Sequence, residues 1–198
     1  MGVRTLAGAD EAGRGCLAGP LVAAAVAFDV DRLRGRRSAA LRMLDDSKRH
    51  QPEAREQLYG AIVATAMQIA VCVIPAPSLD TRGLHRSNLD ALRRVLLAID
   101  PAPELSLTDG FELAGFPRPH RRLIGGDGRS AAIAAASIVA KVTRDRYMHR
   151  IAPEYPDFGF EQHVGYITPA HTQAVRRHGV TPLHRRSFHA IAYQLVLE

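Results

Sequence analysis

The chain has 198 residues, 46% of them hydrophobic and 23% charged, and carries a formal net charge of +6. That length and composition exclude a disordered or low-complexity chain and suit one domain with a true core, with at most a small appended lobe. Cys16 and Cys72 lie far apart with no CxxC spacing, which speaks against a disulfide framework or zinc site and makes a reducing cytoplasm the simple reading. No apolar run approaches a membrane span, and the N-terminal stretch lacks the apolar core of a signal peptide. A basic balance favours polyanionic partners, because neutralising phosphates releases counterions.

Arg4 to Asp10 and Leu21 to Phe28 read as two strands joined by a glycine-rich turn. Asp31 to Arg42, with its RLRGRR run, reads as a solvated basic loop or short helix. Pro52 starts a helix over Glu53 to Ala66, and the Ile- and Val-rich Gln68 to Ile74 reads as a buried strand. Asn88 to Ile99 places Leu89, Leu92, Leu96 and Ile99 at helical spacing. Leu105 to Asp109 is a short strand ending on an acid, Arg121 to Ile124 is a candidate further strand, and Ser130 to Arg150 is a long helix that begins in alanine. Glycines and prolines punctuate the chain after Pro153, with Tyr155, Phe158, Phe160 and Tyr166 between them. This order predicts an α/β layered domain over 1–152 and a helical and loop lobe over 153–198 packed on it as one unit.

Carboxylates fall where such folds place their sites: Asp10 and Glu11 at the end of the first strand, Asp109 at the end of a later one, and Asp127 in GGDGRS before the long helix. Gathered together they would repel one another unless a cation joined them. Magnesium suits that setting, since it takes oxygen ligands, keeps several waters and pairs with phosphates. Taken singly, Asp127 also suits a helix start beside Ser130, and Asp109 before Gly110 is an ordinary turn pair. Neighbouring strand residues point to opposite faces. Asp10 and Glu11 therefore both aim inward only if the strand breaks at Asp10; otherwise Glu11 acts through its carbonyl or a water.

Gly13, Arg14 and Gly15 form a turn whose N–H groups and guanidinium suit phosphate oxygens, or a plain hairpin turn with an exposed arginine. It is neither a Walker loop nor a dinucleotide fingerprint. Lys141 and Asp145 sit at i,i+4 and read as helix support. Lys48, Arg185 and Arg186 are candidate phosphate contacts, and Arg144 is open between the two roles. His163, His171, His184 and His189 fit no zinc spacing, so loop or capping roles are expected of them.

GADEAGRGCLAGPLVAAAV, LDDSK at Leu44 to Lys48, LTDG, GGDGRSAAIAAASIVAKVTRDRYM and YPDFGFEQHVGYITPAHTQAVRRHGVTPLHRRSF run in order from Leu6 to Phe188. Together they resemble ribonuclease HII. The resemblance implies a ribonuclease H-like mixed sheet flanked by helices, with a helical C-terminal extension. It implies that Asp10, Glu11, Asp109 and Asp127 hold Mg²⁺ or Mn²⁺, that Gly13, Arg14 and Gly15 read the junction between a ribonucleotide and the next deoxynucleotide, and that Tyr166 stacks on the sugar there. The expected substrates are RNA/DNA hybrids and duplex DNA holding ribonucleotides, cut on the 5′ side of the ribonucleotide to leave 3′-hydroxyl and 5′-phosphate ends. The expected enzyme is cytoplasmic, monomeric and not membrane-bound. Val164 and Gly126 stand where the family usually or often has lysine, and His50 and Gln51 replace a usual leucine and serine. These departures remove phosphate contacts and a helix cap but leave all the acids. Two alternatives are another metal nuclease of the same fold and a non-catalytic hybrid-binding protein.

Overall fold

The computed structural model describes residues 2–31 and 52–188. The basic segment after Asp31, the LDDSK block with Lys48, His50, Gln51 and His189 lie outside the described residues. Among the described residues, a five-stranded mixed sheet forms the centre, in the order β3-β2-β1-β4-β5. Its strands are β1 (Thr5–Ala12), β2 (Leu21–Asp29), β3 (Gln68–Ile74), β4 (Leu105–Asp109) and β5 (His120–Leu123). The first three are antiparallel neighbours, whereas β4 runs parallel to β1 and β5 parallel to β4.

Strand alternation assigns each side of the sheet its own cover. Val22, Ala24, Val26 and Phe28 pack with α1 (Pro52–Thr65) and α4 (Ala131–Ile151). Leu21, Ala23, Ala25 and Ala27, with Ala7 and Ala9, pack with α3 (Leu84–Leu97) and with Leu79 of α2 (Ala76–Arg82). The alanine run of α4 has a steric reason: a Cβ on Gly8 would collide with the backbone of Ala132 and Ile133, so helix and strand meet main chain to main chain. A strand of alanines faces a helix of alanines, and the volume is filled by proximity rather than by bulk.

The third strand corrects an expectation. Among the described residues β3 is an edge strand, with Val71 and Val73 44% and 48% exposed, rather than a buried one. A β-branched run fits a pleated surface whether or not its outer face is covered, so composition alone did not separate the two cases. After α4 the chain forms α5 (Phe160–His163) and α6 (Pro169–His178). Phe158, Phe160, Val164 and Val175 share one apolar cluster with Leu17, Ala18 and Met148, which ties this region to the turn after β1.

Candidate active site

β1 does not break at Asp10; it runs unbroken to Ala12. Asp10 and Glu11 therefore sit on opposite faces. Asp10 looks toward α4, where Ser137 hydrogen-bonds it, and its Oδ1 also accepts from the Glu11 N–H at 2.8 Å. Glu11 looks toward α3, where it meets Asn88. Pairing of β1 with β4 ends at Ala9 beside Thr108, so the next residues, Asp10 and Asp109, emerge side by side. Asp109 Oδ1 accepts from the Gly126 N–H at 2.8 Å, which fastens β4 to the one-turn 3₁₀ segment Gly126–Gly128 carrying Asp127. Asp127 Oδ1 accepts from the Gly128 N–H at 3.0 Å, and Ser130 occupies the N-cap of α4. Asp127 thus stabilises its own turn rather than capping the long helix.

The electrostatics follow from this crowding. Burial pushes the Asp10 carboxyl up to about 7, with Asp109 and Asp127 adding repulsion against the hydrogen bonds from Ser137 and Glu11. Burial also pushes Glu11 up, to about 8; Asp10 raises it further, while Arg14 and Asn88 oppose. Among the described residues, no three His, Cys, Asp or Glu side chains converge into a ready-made cage. Hard divalent ions of the magnesium type need none, since they bind through one or two carboxylates, waters and substrate phosphates. The donor set fits such an ion: the oxygens are hard, and Asp109, at the end of β4, repels both the Asp10 and the Glu11 carboxyl although these leave β1 on opposite faces.

Glu11, Gly13, Arg14, Ser137, Lys141 and Tyr166 line one cleft of about 370 Å³. Gly13 has φ 85°, and a Cβ there would strike the Arg144 guanidinium, so this position requires glycine. At Gly15 a Cβ would meet nothing within 4 Å, and the residue is exposed. The Arg14 guanidinium lies over the Phe111 ring at 4.7 Å. Tyr166 is 39% exposed, with Lys141 Nζ 4.8 Å from its ring centre. Lys141 also pairs with Asp145 at 2.8 Å, so it both supports the helix and faces the cleft.

Two arginines have other work. Arg185 is fully buried and donates to the carbonyls of Gly19 and Arg14. It braces the turn from beneath and has no surface to offer a phosphate, which corrects that expectation. Arg144, also fully buried, donates to the carbonyls of Pro20, Val164 and Ala18. Arg186 is exposed, and its backbone N–H binds Asp80. The histidines take loop roles: His163 Nδ1 accepts from Gly165 N–H, and His171 Nδ1 bonds the Tyr166 carbonyl. Asn88 and Ser137 were missed at the sequence level. Each is a polar residue set in an apolar helical stripe that covers the end of β1, which was the available signal.

A family model described as ribonuclease HII matches residues 7–192. Ribonuclease HII of Geobacillus kaustophilus is 49% identical over 187 residues, spanning 94% of this chain and 69% of that protein. The ribonuclease H2 structure from Pyrococcus horikoshii superposes with a TM-score of 0.81 at 24% identity, covering 96% of each chain, and shows the common fold. The ribonuclease HII in a complex with PCNA from Archaeoglobus fulgidus superposes at 0.79 with 27% identity, over 94% of this chain and 96% of that one. The chain belongs to the ribonuclease HII family, metal-dependent endoribonucleases that cleave the RNA of RNA/DNA hybrids.

Proposed function

We propose that Asp10, Glu11, Asp109 and Asp127 jointly hold Mg²⁺ or Mn²⁺, and that the chain also cuts duplex DNA on the 5′ side of an embedded ribonucleotide, leaving 3′-hydroxyl and 5′-phosphate ends. The observation that carries this reading is the burial of Asp10 and Glu11 at the end of β1 beside Asp109, with their carboxyls pushed up to about 7 and 8. Such a cluster costs stability unless cations and phosphates are its counterparts. When bound, the ions supply an activated water and stabilise the leaving oxygen.

The chain's own residues do the selecting. A 2′-hydroxyl alone separates RNA from DNA at the cut, and the open face of the turn at Gly15 admits a close approach of the sugar to its backbone groups. Arg14 is held over Phe111, within reach of a phosphate at the same turn. Tyr166 offers an exposed ring to the neighbouring deoxyribose, in the cleft that Glu11 also lines. Arg186, exposed at the rim, is a phosphate contact in this reading, and Lys48 is proposed as another from the sequence alone. The chain acts as a monomer on hybrids and on ribonucleotide-containing duplex DNA. No described helix is long and apolar enough to cross a membrane.

The test is a labelled DNA duplex holding one ribonucleotide, offered with Mg²⁺ or Mn²⁺ beside an all-DNA control. A single cut at the ribonucleotide and an intact control are expected. Cleavage of the control, or none at the ribonucleotide, overturns the reading.

A further inference from the structure

The turn that presents Tyr166 is held unusually completely. Val164 adopts φ 43°, a left-handed conformation that costs a β-branched residue strain and persists only where its surroundings impose it. The Val164 carbonyl accepts from Arg144, the Gly165 N–H donates to His163 Nδ1, and the Gly165 carbonyl accepts from the N–H groups of Leu17 and Ala18. The Tyr166 carbonyl lies 2.8 Å from His171 Nδ1. His171 Nε2 lies in turn 3.1 Å from His184 Nε2, and both rings are at least 98% buried.

The protons in this chain have only one arrangement. A carbonyl accepts only, so His171 Nδ1 must carry a hydrogen, and Nε2 of the neutral ring is then bare. His184 Nε2 must therefore donate to it, which leaves His184 Nδ1 as an acceptor. That nitrogen meets the Thr181 N–H at 3.0 Å and the Thr181 hydroxyl at 2.8 Å, both able to donate. A further proton on either ring would set hydrogen against hydrogen, between the two Nε2 atoms or at Thr181. A metal ion between the rings would need both Nε2 atoms bare, which would force a proton onto His184 Nδ1 against the Thr181 N–H.

Burial acts in the same sense, pushing both imidazoles down to about 4. The groups around the pair are the rings of Phe158 and Phe160, and His163 stacked on His171 at 4.3 Å. Burial pushes the His163 imidazole down, opposed in part by its bond to the Phe158 carbonyl and by Glu161.

We propose that His171 and His184 form a tautomer-locked hydrogen-bond relay, anchored on Thr181, that positions Tyr166 for recognition of the ribonucleotide junction. The inference rests on the role given above to Tyr166. The two histidines are positioning residues that touch neither substrate nor metal. Losing the relay loosens the direction in which the ring is offered and leaves the acids undisturbed.

Long-range ¹⁵N–¹H correlation spectra of the full-length wild-type protein test the relay directly. Hydrogen on Nδ1 of His171 and on Nε2 of His184 is expected, unchanged between pH 8 and pH 5. The opposite tautomer at either ring, or titration near the ordinary histidine value, overturns it. A second arm measures kcat/KM on a single-ribonucleotide duplex relative to a continuous RNA/DNA hybrid. His171→Leu is expected to lower that ratio about tenfold, the worth of one ordering hydrogen bond, with kcat on the hybrid unchanged. His171→Asn, whose amide nitrogen can donate to the Tyr166 carbonyl, is expected to restore most of it. Equal losses on both substrates would mean general destabilisation and contradict the proposal. If His171→Leu does not fold, the wild-type spectra still decide. Tyr166→Ala separates the two layers: an unchanged ratio there removes the Tyr166 reading, whereas a lowered ratio there beside an unchanged one in His171→Leu removes the relay alone.

Discussion

Replacing Asp10 by Asn should make the metal-free protein more stable at pH 8 while abolishing cleavage. The Asp10 carboxyl rises from 3.8 to about 7 on folding. Between those values the folded state holds a proton that the unfolded state has released, so stability falls as pH rises through that window and the full cost is present above it. At about 1.4 kcal/mol per decade, the rise corresponds to about 4 kcal/mol as an upper bound. Coupling to Glu11 and relaxation of the chain bring the expected gain for Asp10→Asn at pH 8 to about 2 kcal/mol. Asparagine keeps an oxygen to accept from the Glu11 N–H. The assay is urea unfolding of both proteins, with chelator, at pH 5 and pH 8, with the advantage of Asn growing by about 1 kcal/mol between them, since part of the cost is already present at pH 5. His171 and His184 act oppositely: their folded values near 4 lie below the unfolded 6.5, so their contribution is complete above 6.5 and is lost as pH falls toward 4. Because both proteins share that term, it cancels in the comparison. An Asn variant less stable than wild type at pH 8, or an advantage that does not change with pH, would refute the reasoning.

Gly13→Ala should lower stability by about 2 kcal/mol, since Ala resists φ 85° and its Cβ would displace Arg144; an unchanged melting temperature would contradict this. Arg185→Lys keeps the charge but cannot reach the carbonyls of both Gly19 and Arg14 from one rigid fork. It should cost about 2 kcal/mol in urea unfolding, the penalty of a buried acceptor left unpaired. Arg186→Ala should leave folding intact and reduce the slope of log affinity against log salt for a hybrid duplex by about 1, the signature of one lost phosphate contact. An unchanged slope would remove Arg186 from the interface.

The order of elements and the placing of the acids were legible because they rest on local rules. Leu105 to Asp109 is a strand that ends on its acid, and Gln68 to Ile74 matches β3 at both ends. The sequence question about Asp10 and Glu11 had a geometric answer: the strand stays regular, and the two carboxyls part to opposite faces. What neighbours each was not legible. Asn88 belongs to the buried stripe with Ala91, Leu92, Val95 and Leu96, but only its packing against β1 sets it before Glu11. Arg144 and Arg185 were harder, because their partners are main-chain carbonyls, which leave no mark in a sequence. Surface arginines and buried struts are spelled alike. The exposed flank of β3 was missed for a related reason, since alternation and β-branching describe a strand and not its position in the sheet.

The claim on which the rest depends is that four carboxylates from β1, β4 and the Gly126–Gly128 turn act as one metal centre. Calorimetric titration of Mn²⁺ into the chelator-stripped protein at pH 7, repeated in buffers of different ionisation enthalpy, tests it most directly. Because Asp10 and Glu11 hold protons up to about 7 and 8, binding should release about one proton at pH 7 and almost none at pH 9. Asp109→Asn should weaken the affinity by about tenfold or more. Binding without proton release at pH 7, or equal affinity in Asp109→Asn, would contradict the account.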